Sequence, residues 1–298
     1  MLIHDLLSSL DIHLLAFGLC HCGSEWNYHN VNDNYNRLWL ISDGEATVMH
    51  HGREYQLPAG SIHLMPCYTS ADLICKSSGF DAYYIHFTSR TVGGLDICRI
   101  QEYTWQRRAR AIDYFFIEQL QLLNPNSNVP VKDPSDYSYQ LYHNKQAETY
   151  QQRSPAFHME NMAYISLLLA PFIATGSTAT QAEGRRMHAF ATYVEENIHR
   201  PITLGDIADA LDLTPGYLSD WLFKLLRIRP IEYINRRRVE EAQQLLISDK
   251  LSIKEISAQL GFSSAAYFSR VFKNQVGLPA SRYRSLYNKL PSAKQMLT

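Results

Sequence analysis

The 298-residue sequence predicts a two-domain α+β protein. A β-barrel or sandwich with trailing helices comes first. An all-α domain of two helix-turn-helix units, joined by a long helix, follows. Three observations predict this. Residues 37–87 break into short β-prone runs between glycines spaced eight residues apart. One sequence pattern occurs twice in the last hundred residues. The charge divides unequally: residues 1–184 hold 11 Lys+Arg and 18 Asp+Glu, residues 185–298 hold 17 and 11. A basic C-terminal third suits a polyanionic partner and the acidic remainder does not.

In the first region Gly44, Gly52 and Gly60 stand in turn contexts, Asp43-Gly44, His51-Gly52 and Pro58-Ala59-Gly60. The strands between and after them are read at 37–41, 46–50, 54–57, 62–65, 71–75 and 80–87. An amphipathic helix is expected over 104–123, through Trp105, Ile112, Phe115, Phe116 and Leu122. A second is expected over 157–173, through Met159, Met162, Ile165, Leu168, Leu169 and Phe172. Residues 124–154 show no clear period and read as a long surface excursion. The polar stretch after 173 reads as a linker. The expected division is therefore 1–175 for the β-rich domain, 176–186 for the linker and 187–290 for the helix-turn-helix domain.

The five cysteines, Cys20, Cys22, Cys67, Cys75 and Cys98, all fall in the first third. No signal core and no run of ~18 apolar residues occurs, so a reduced cytoplasmic protein without a membrane span is expected. Cys20-His21-Cys22 has no second ligand pair at a useful spacing, so buried thiols are expected there, and no metal or other cofactor.

The repeated pattern opens each time on a helix start with a mechanism. Ser252-x-x-Glu255 is a capping box, and Thr203-x-x-Asp206 is a weaker one. Gly261 supplies the tight turn in the second copy, where Asp212 stands in the first. In the second copy Tyr267, Phe268, Val271, Phe272 and Val276 should face inward. Ser264, Ala265, Ala266, Ser269, Arg270, Lys273 and Asn274 should face out. Such a face can read duplex DNA: Arg270 is suited to guanine, the alanines to thymine methyls, Ser264 and Lys273 to phosphates. In the first copy Tyr217, Leu218, Trp221, Leu222, Leu225 and Leu226 should be buried, leaving Gly216, Ser219, Asp220, Phe223, Lys224 and Arg227 outward. Asp220 would repel phosphate. The joining helix, from about Pro230, carries Arg236-Arg237-Arg238, read as a mixture of backbone clamps and surface charge.

Residues from about Met187 to Arg284 resemble the AraC-type (AraC/XylS) transcription regulators. The resemblance is carried by Leu251 to Ser257, Gly261-Phe262-Ser263-Ser264, Tyr267 to Lys273 and Gly277 to Arg284, and by Pro201 to Leu204 and Pro215 to Ser219 in the first unit. The family commonly has a basic residue at the position of Asp220 and a glycine at that of Arg227. The N-terminal half resembles the family's cupin-like sensor barrel through Gly44-Glu45, Leu57 to Gly60, Met65-Pro66 and Tyr84 to Phe87. The resemblance implies a bacterial regulator, most often an activator contacting RNA polymerase, that binds promoter DNA as a homodimer and holds a small effector, often a sugar. Candidate effector-lining residues by strand position are Arg37, Trp39, His63, Tyr84 and His86. His50 and His51 are adjacent and should point to opposite faces of a strand, which argues against a metal-binding cupin. No enzymatic activity is expected. The alternatives are a regulator whose barrel serves only dimerisation or a protein partner, and a cupin enzyme fused to a DNA-binding domain.

Overall fold

In the computed structural model the described residues are 10–76, 78–91, 96–99, 104–125, 127–129, 133–134, 136–173, 181–226, 228–248 and 251–288. Among these residues the first domain has eight strands: β1 (Asp11–Cys22), β2 (Asn27–Val31), β3 (Asn36–His50), β4 (Arg53–Pro58), β5 (Ser61–Met65), β6 (Ala71–Ile74), β7 (Phe80–Arg90) and β8 (Gln106–Arg108). They form one sheet ordered β1-β7-β3-β5-β8, with β2, β6 and β4 joined through the far half of β3. β3 turns the sheet. Its first half pairs antiparallel with β5 and β7, and from Glu45 onward it pairs with β4 and β6. The hinge is Gly44, whose φ is +70°. A Cβ there would lie 2.3 Å from the Gly79 carbonyl oxygen, so only glycine fits. Gly44 is thus a corner inside a strand rather than the turn its sequence context suggests.

The six expected strand runs fall within β3 to β7, and β1, β2 and β8 are additional. The buried residues Ala16, Ile41, Ala46, Val48, Leu57, Leu73, Phe80 and Ala82 join one apolar cluster between the two halves of the sheet.

Among the described residues three helices follow the strands: α1 (Ala111–Leu123), α2 (Tyr137–Gln151) and α3 (Pro155–Ile173). α1 begins later than expected, because residues 106–108 extend the sheet. Its start is fixed by Asp113, which is fully buried. This carboxylate accepts from Arg107 at 2.7 Å, from Arg110 at 2.8 Å and from the Arg110 backbone N–H at 2.7 Å. Burial pushes the carboxyl pKa up, but these donors hold it down to about 2. α2 corrects the reading of 124–154 as a surface excursion. Its inward face is Tyr139, Tyr142, His143, Gln146, Thr149 and Tyr150, a helical spacing written in polar and aromatic residues that hydropathy does not register.

The second domain is helical: α4 (Gln181–Asn197), α5 (Leu204–Ala210), α6 (Pro215–Leu226), α7 (Pro230–Ser248), α8 (Ile253–Gln259), α9 (Ala265–Val276) and α10 (Ala280–Tyr287). α4 begins inside the span read as linker, and residues 174–180 lie outside the described residues. No helix among the described residues is long and apolar enough to cross a membrane.

Candidate nucleic-acid interface and barrel cavity

Both helix-turn-helix units are built as their sequences dictate. At α8 the Ser252 hydroxyl accepts from the Glu255 N–H at 3.2 Å, while the Glu255 carboxylate accepts from the Ser252 N–H at 2.7 Å. Thr203 and Asp206 close the equivalent box on α5, at 3.1 and 2.7 Å. The turns pass through left-handed backbone at the two expected residues, Gly261 at φ +65° and Asp212 at φ +53°. At Gly261 a Cβ would meet the Arg200 carbonyl oxygen at 2.4 Å, so copy two has no room for a side chain.

α9 buries Phe268 and Phe272 completely, with Tyr267, Val271 and Val276 half-buried beside them. Ala266, Ser269, Arg270, Lys273 and Asn274 are exposed, and Ala265 is half-buried. Ser264 is the N-cap, accepting from the Tyr267 N–H at 3.1 Å. Gly277, left-handed at φ +81°, ends the helix by donating to the Lys273 carbonyl. The Arg270 guanidinium stacks over the Tyr267 ring at 5.3 Å, which limits its swing while leaving its donors outward.

α6 buries Leu218, Trp221, Leu222 and Leu226 and exposes Gly216, Asp220, Phe223 and Lys224, with Ser219 half-buried. Tyr217 departs from expectation: it is 51% exposed and accepts from Arg186 at 3.1 Å, under a guanidinium 5.5 Å from its ring. Its phenol keeps its hydrogen bond at the surface, where the inner stripe is already filled by Leu218 and Trp221. Arg227 lies outside the described residues. Asp220 does not stand alone on this face. Arg229, which the sequence reading passed over because it lies beyond the helix, donates to its carboxylate at 2.8 Å and to Ser219 at 2.9 Å.

The run on α7 is internal rather than partly free. Arg236 pairs with Glu232 at 2.5 Å, and Arg237 pairs with Glu240 and, at 2.7 Å, with Glu195 of α4. Arg238, 5% exposed, donates to the Ile198 and Arg200 carbonyls at 3.1 and 2.5 Å. The Arg237–Glu195 and Arg238 bonds staple α7 to α4 and its C-terminal turn, so they stiffen the spacer between the two units.

In the β-rich domain, a cavity of about 250 Å³ opens between the sheet and α2. Arg37 and Trp39 of β3 stand on one face, directly opposite His86 and Tyr84 of β7, and all four line the cavity. The register therefore brings together four of the five expected residues. His63 is not among the lining residues. It is fully buried, stacked on Trp39 with ring centroids 6.0 Å apart and sharing a 3.1 Å hydrogen bond with His50. His50 is buried and His51 exposed, but not by strand alternation: His51 lies in the turn at φ +51°. Among the described residues no group of three or more His, Cys, Asp or Glu is placed to hold a metal.

Sequence reasoning missed Trp26, Tyr28, Glu25 and Tyr139 in the lining, because their segments had no assigned structure. It also missed His143. The His143 Nδ1–H donates to the Tyr139 carbonyl at 2.6 Å, so its Nε2 accepts from His86 Nδ1 at 2.7 Å. Burial lowers both imidazoles, His143 to about 3, and they are neutral at pH 7. His86 therefore offers its Nε2 as an acceptor. Arg37 is fully buried and ion-paired with Asp33.

The model for a helix-turn-helix domain matches residues 207–285. The uncharacterised HTH-type transcriptional regulator YpdC of Escherichia coli (strain K12) is 32% identical over 34% of this chain and 35% of its own. The chain thus spans about a third of that relative. It spans 96% of the lactose operon transcription activator of Staphylococcus xylosus, at 24% identity over 93% of this chain. Among solved structures, the C-terminal domain of the two-component response regulator yesN from Fusobacterium nucleatum subsp. nucleatum aligns at 31% identity, TM-score 0.33, over 34% of this chain and 98% of that one. With two capped units around a stapled spacer helix, the C-terminal domain belongs to the AraC-type helix-turn-helix domains of DNA-binding transcription regulators.

Proposed function

We propose that this chain is a bacterial, cytoplasmic, sequence-specific transcription regulator that binds promoter DNA with two helices from one polypeptide. The observation that carries this reading is the pair of complete units held by one rigid α7. Recognition helices so joined can enter successive major grooves about 34 Å apart on one face of the duplex. The contacting residues would be Gly216, Ser219, Asp220 and Lys224 on α6, and Ser264, Ala265, Ala266, Ser269, Arg270 and Lys273 on α9. Ser264 positions its helix through the cap, and Arg270 is suited to base reading. Activation through contact with RNA polymerase is the mode proposed, and no enzymatic step is assigned. Selection of bound fragments from genomic DNA tests it: a shared sequence should enrich, and retention without any shared sequence overturns specific binding.

The effector proposed is a small polyhydroxyl compound such as a sugar. Trp26, Trp39 and Tyr84 give ring faces, Arg37 gives a donor edge, and the His86 Nε2 accepts from a hydroxyl. The name of the lactose operon relative fits the same choice. A second reading, a barrel that only dimerises, is favoured by one feature. Ile112, Phe115 and Leu122 on α1, and Met159 and Leu167 on α3, leave apolar stripes exposed on two helices packed together. Both readings include a homodimer. Thermal shifts across a sugar panel separate them.

A further inference from the structure

The Asp220 face of α6 carries a feature that neither copy-two chemistry nor the effector reading absorbs. Arg229 lies in the corner between α6 and α7, and its backbone is fixed on both sides. Ile228 is buried, Pro230 begins α7, and the Arg229 carbonyl accepts from the Tyr233 N–H at 3.0 Å. From this anchored position its side chain returns across the exposed face of α6. A single nitrogen, Nη1, donates to both the Asp220 carboxylate and the Ser219 hydroxyl, at 2.8 and 2.9 Å. The guanidinium carbon lies over the Phe223 ring, 4.7 Å from its centroid. Phe223 lies three residues from Asp220 and four from Ser219, so all three border one patch on the helix. Nε and Nη2 have no partner among the described residues.

We propose that Arg229 is the arginine by which the first unit reads DNA, with Asp220 and Phe223 as the residues that aim it. The inference rests on the reading of α6 as a groove-facing helix. The chemistry follows from the guanidinium's fixed fork. Guanine offers two acceptors, O6 and N7, that a planar pair of donors meets together. With Nη1 held by Asp220, the free Nε–Nη2 edge is that pair, and the Phe223 ring beneath the guanidinium limits its swing. A pair as exposed as Asp220–Arg229, with side chains 81% and 52% accessible, adds little to folding. Its effect is on orientation: an arginine already aimed loses less freedom when it binds. Asp220, alone a repulsive group in the groove, thereby becomes the holder of a cation, and the exposed Phe223 becomes its platform.

The experiment is selection of sites from randomised duplex DNA with the full chain, its Arg229→Ala, Arg229→Lys and Asp220→Ala variants, and Arg270→Ala as a marker for the second unit. Circular dichroism would establish that each is folded. The expected result is that Arg229→Ala and Arg229→Lys lose a guanine preference of roughly tenfold to a hundredfold at one position, about one helical turn from the position relaxed by Arg270→Ala. Asp220→Ala should relax the same position to a smaller extent. An Arg229→Ala variant that keeps the wild-type motif overturns the inference. So does a loss equal on all sequences with a salt slope smaller by about one, which marks a phosphate contact. Tighter binding by Asp220→Ala without relaxation shows Asp220 to be merely repulsive and also overturns it. Failure of the wild-type chain to enrich any sequence is a separate outcome, because it overturns the DNA-reading assignment itself.

Discussion

Acidification from pH 7 to 5.5 should destabilise the β-rich domain far more than the helical one. Four imidazoles in it, His50, His63, His86 and His143, are buried. Burial is the main reason their pKa values fall: His50 to about 4 and His143 to about 3, with His63 and His86 also well below 6.5. Charge on a neighbour adds to this, from His51 on His50, from His50 on His63, and from His143 on His86. Because the folded values lie below the unfolded one, the unfolded chain takes up protons first as pH falls. Stability is therefore fully present above about pH 6.5 and is lost progressively below it, until the folded imidazoles titrate. Each imidazole that stays neutral costs about 1.3 kcal/mol between pH 7 and 5.5, hence about 5 kcal/mol for four. That is comparable with the whole stability of many domains. Asp113, held to about 2, contributes nothing to the loss until the pH approaches 4. Urea titrations followed by tryptophan fluorescence at pH 7 and 5.5 measure the effect, since Trp26, Trp39 and Trp105 report on this domain and Trp221 on the other. His63→Phe, which also removes an unpartnered buried Nδ1, should shrink the loss by about a quarter. A urea midpoint unmoved between the two pH values would refute the reasoning.

Arg270→Ala should weaken binding to a selected site by ~1–3 kcal/mol and relax one base position; equal affinity and an unchanged motif in a shift assay would remove Arg270 from the interface. Gly261→Ala should destabilise the helical domain by at least ~2 kcal/mol, read by thermal denaturation, because left-handed strain adds to a clash with the Arg200 carbonyl. A variant as stable as the wild type would show that the turn relaxes. Asp113→Ala should cost ~3–5 kcal/mol by leaving Arg107, 14% exposed, without its carboxylate. A loss under ~1 kcal/mol would show that the Arg107–Asp113–Arg110 group is incidental.

The parts of the molecule written in apolar periodicity were legible from sequence. The capping boxes at Thr203 and Ser252, the left-handed positions 212 and 261, the outward face of α9 and the strands from β3 to β7 all lie where pattern and turn chemistry place them. Strand alternation likewise brought Arg37, Trp39, Tyr84 and His86 to one cavity. What sequence did not show depends on partners distant in the chain. α2 hides because its inward stripe is Tyr, His, Gln and Thr, residues that read as solvent-facing until His86 and the Ser127 hydroxyl are seen to pair with them. His63 has the right alternation for the cavity but is held by His50, thirteen residues away across the sheet. Arg237 and Arg238 of α7 read as a mixture of clamps and surface charge because their acceptors, Glu195 and the carbonyls of Ile198 and Arg200, lie about forty residues earlier. Arg229 was hidden for a related reason: its meaning lies in a contact back to the preceding helix.

The central claim is that one chain engages two neighbouring major grooves through α6 and α9. Hydroxyl-radical and methylation-protection footprinting on a selected site tests it most directly. Each bound chain should give two patches of major-groove protection about one helical turn apart on the same face of the duplex. Arg270→Ala should reduce protection in one patch, and Arg229→Ala in the other. Protection of a single groove per chain, or of patches on opposite faces, would contradict it.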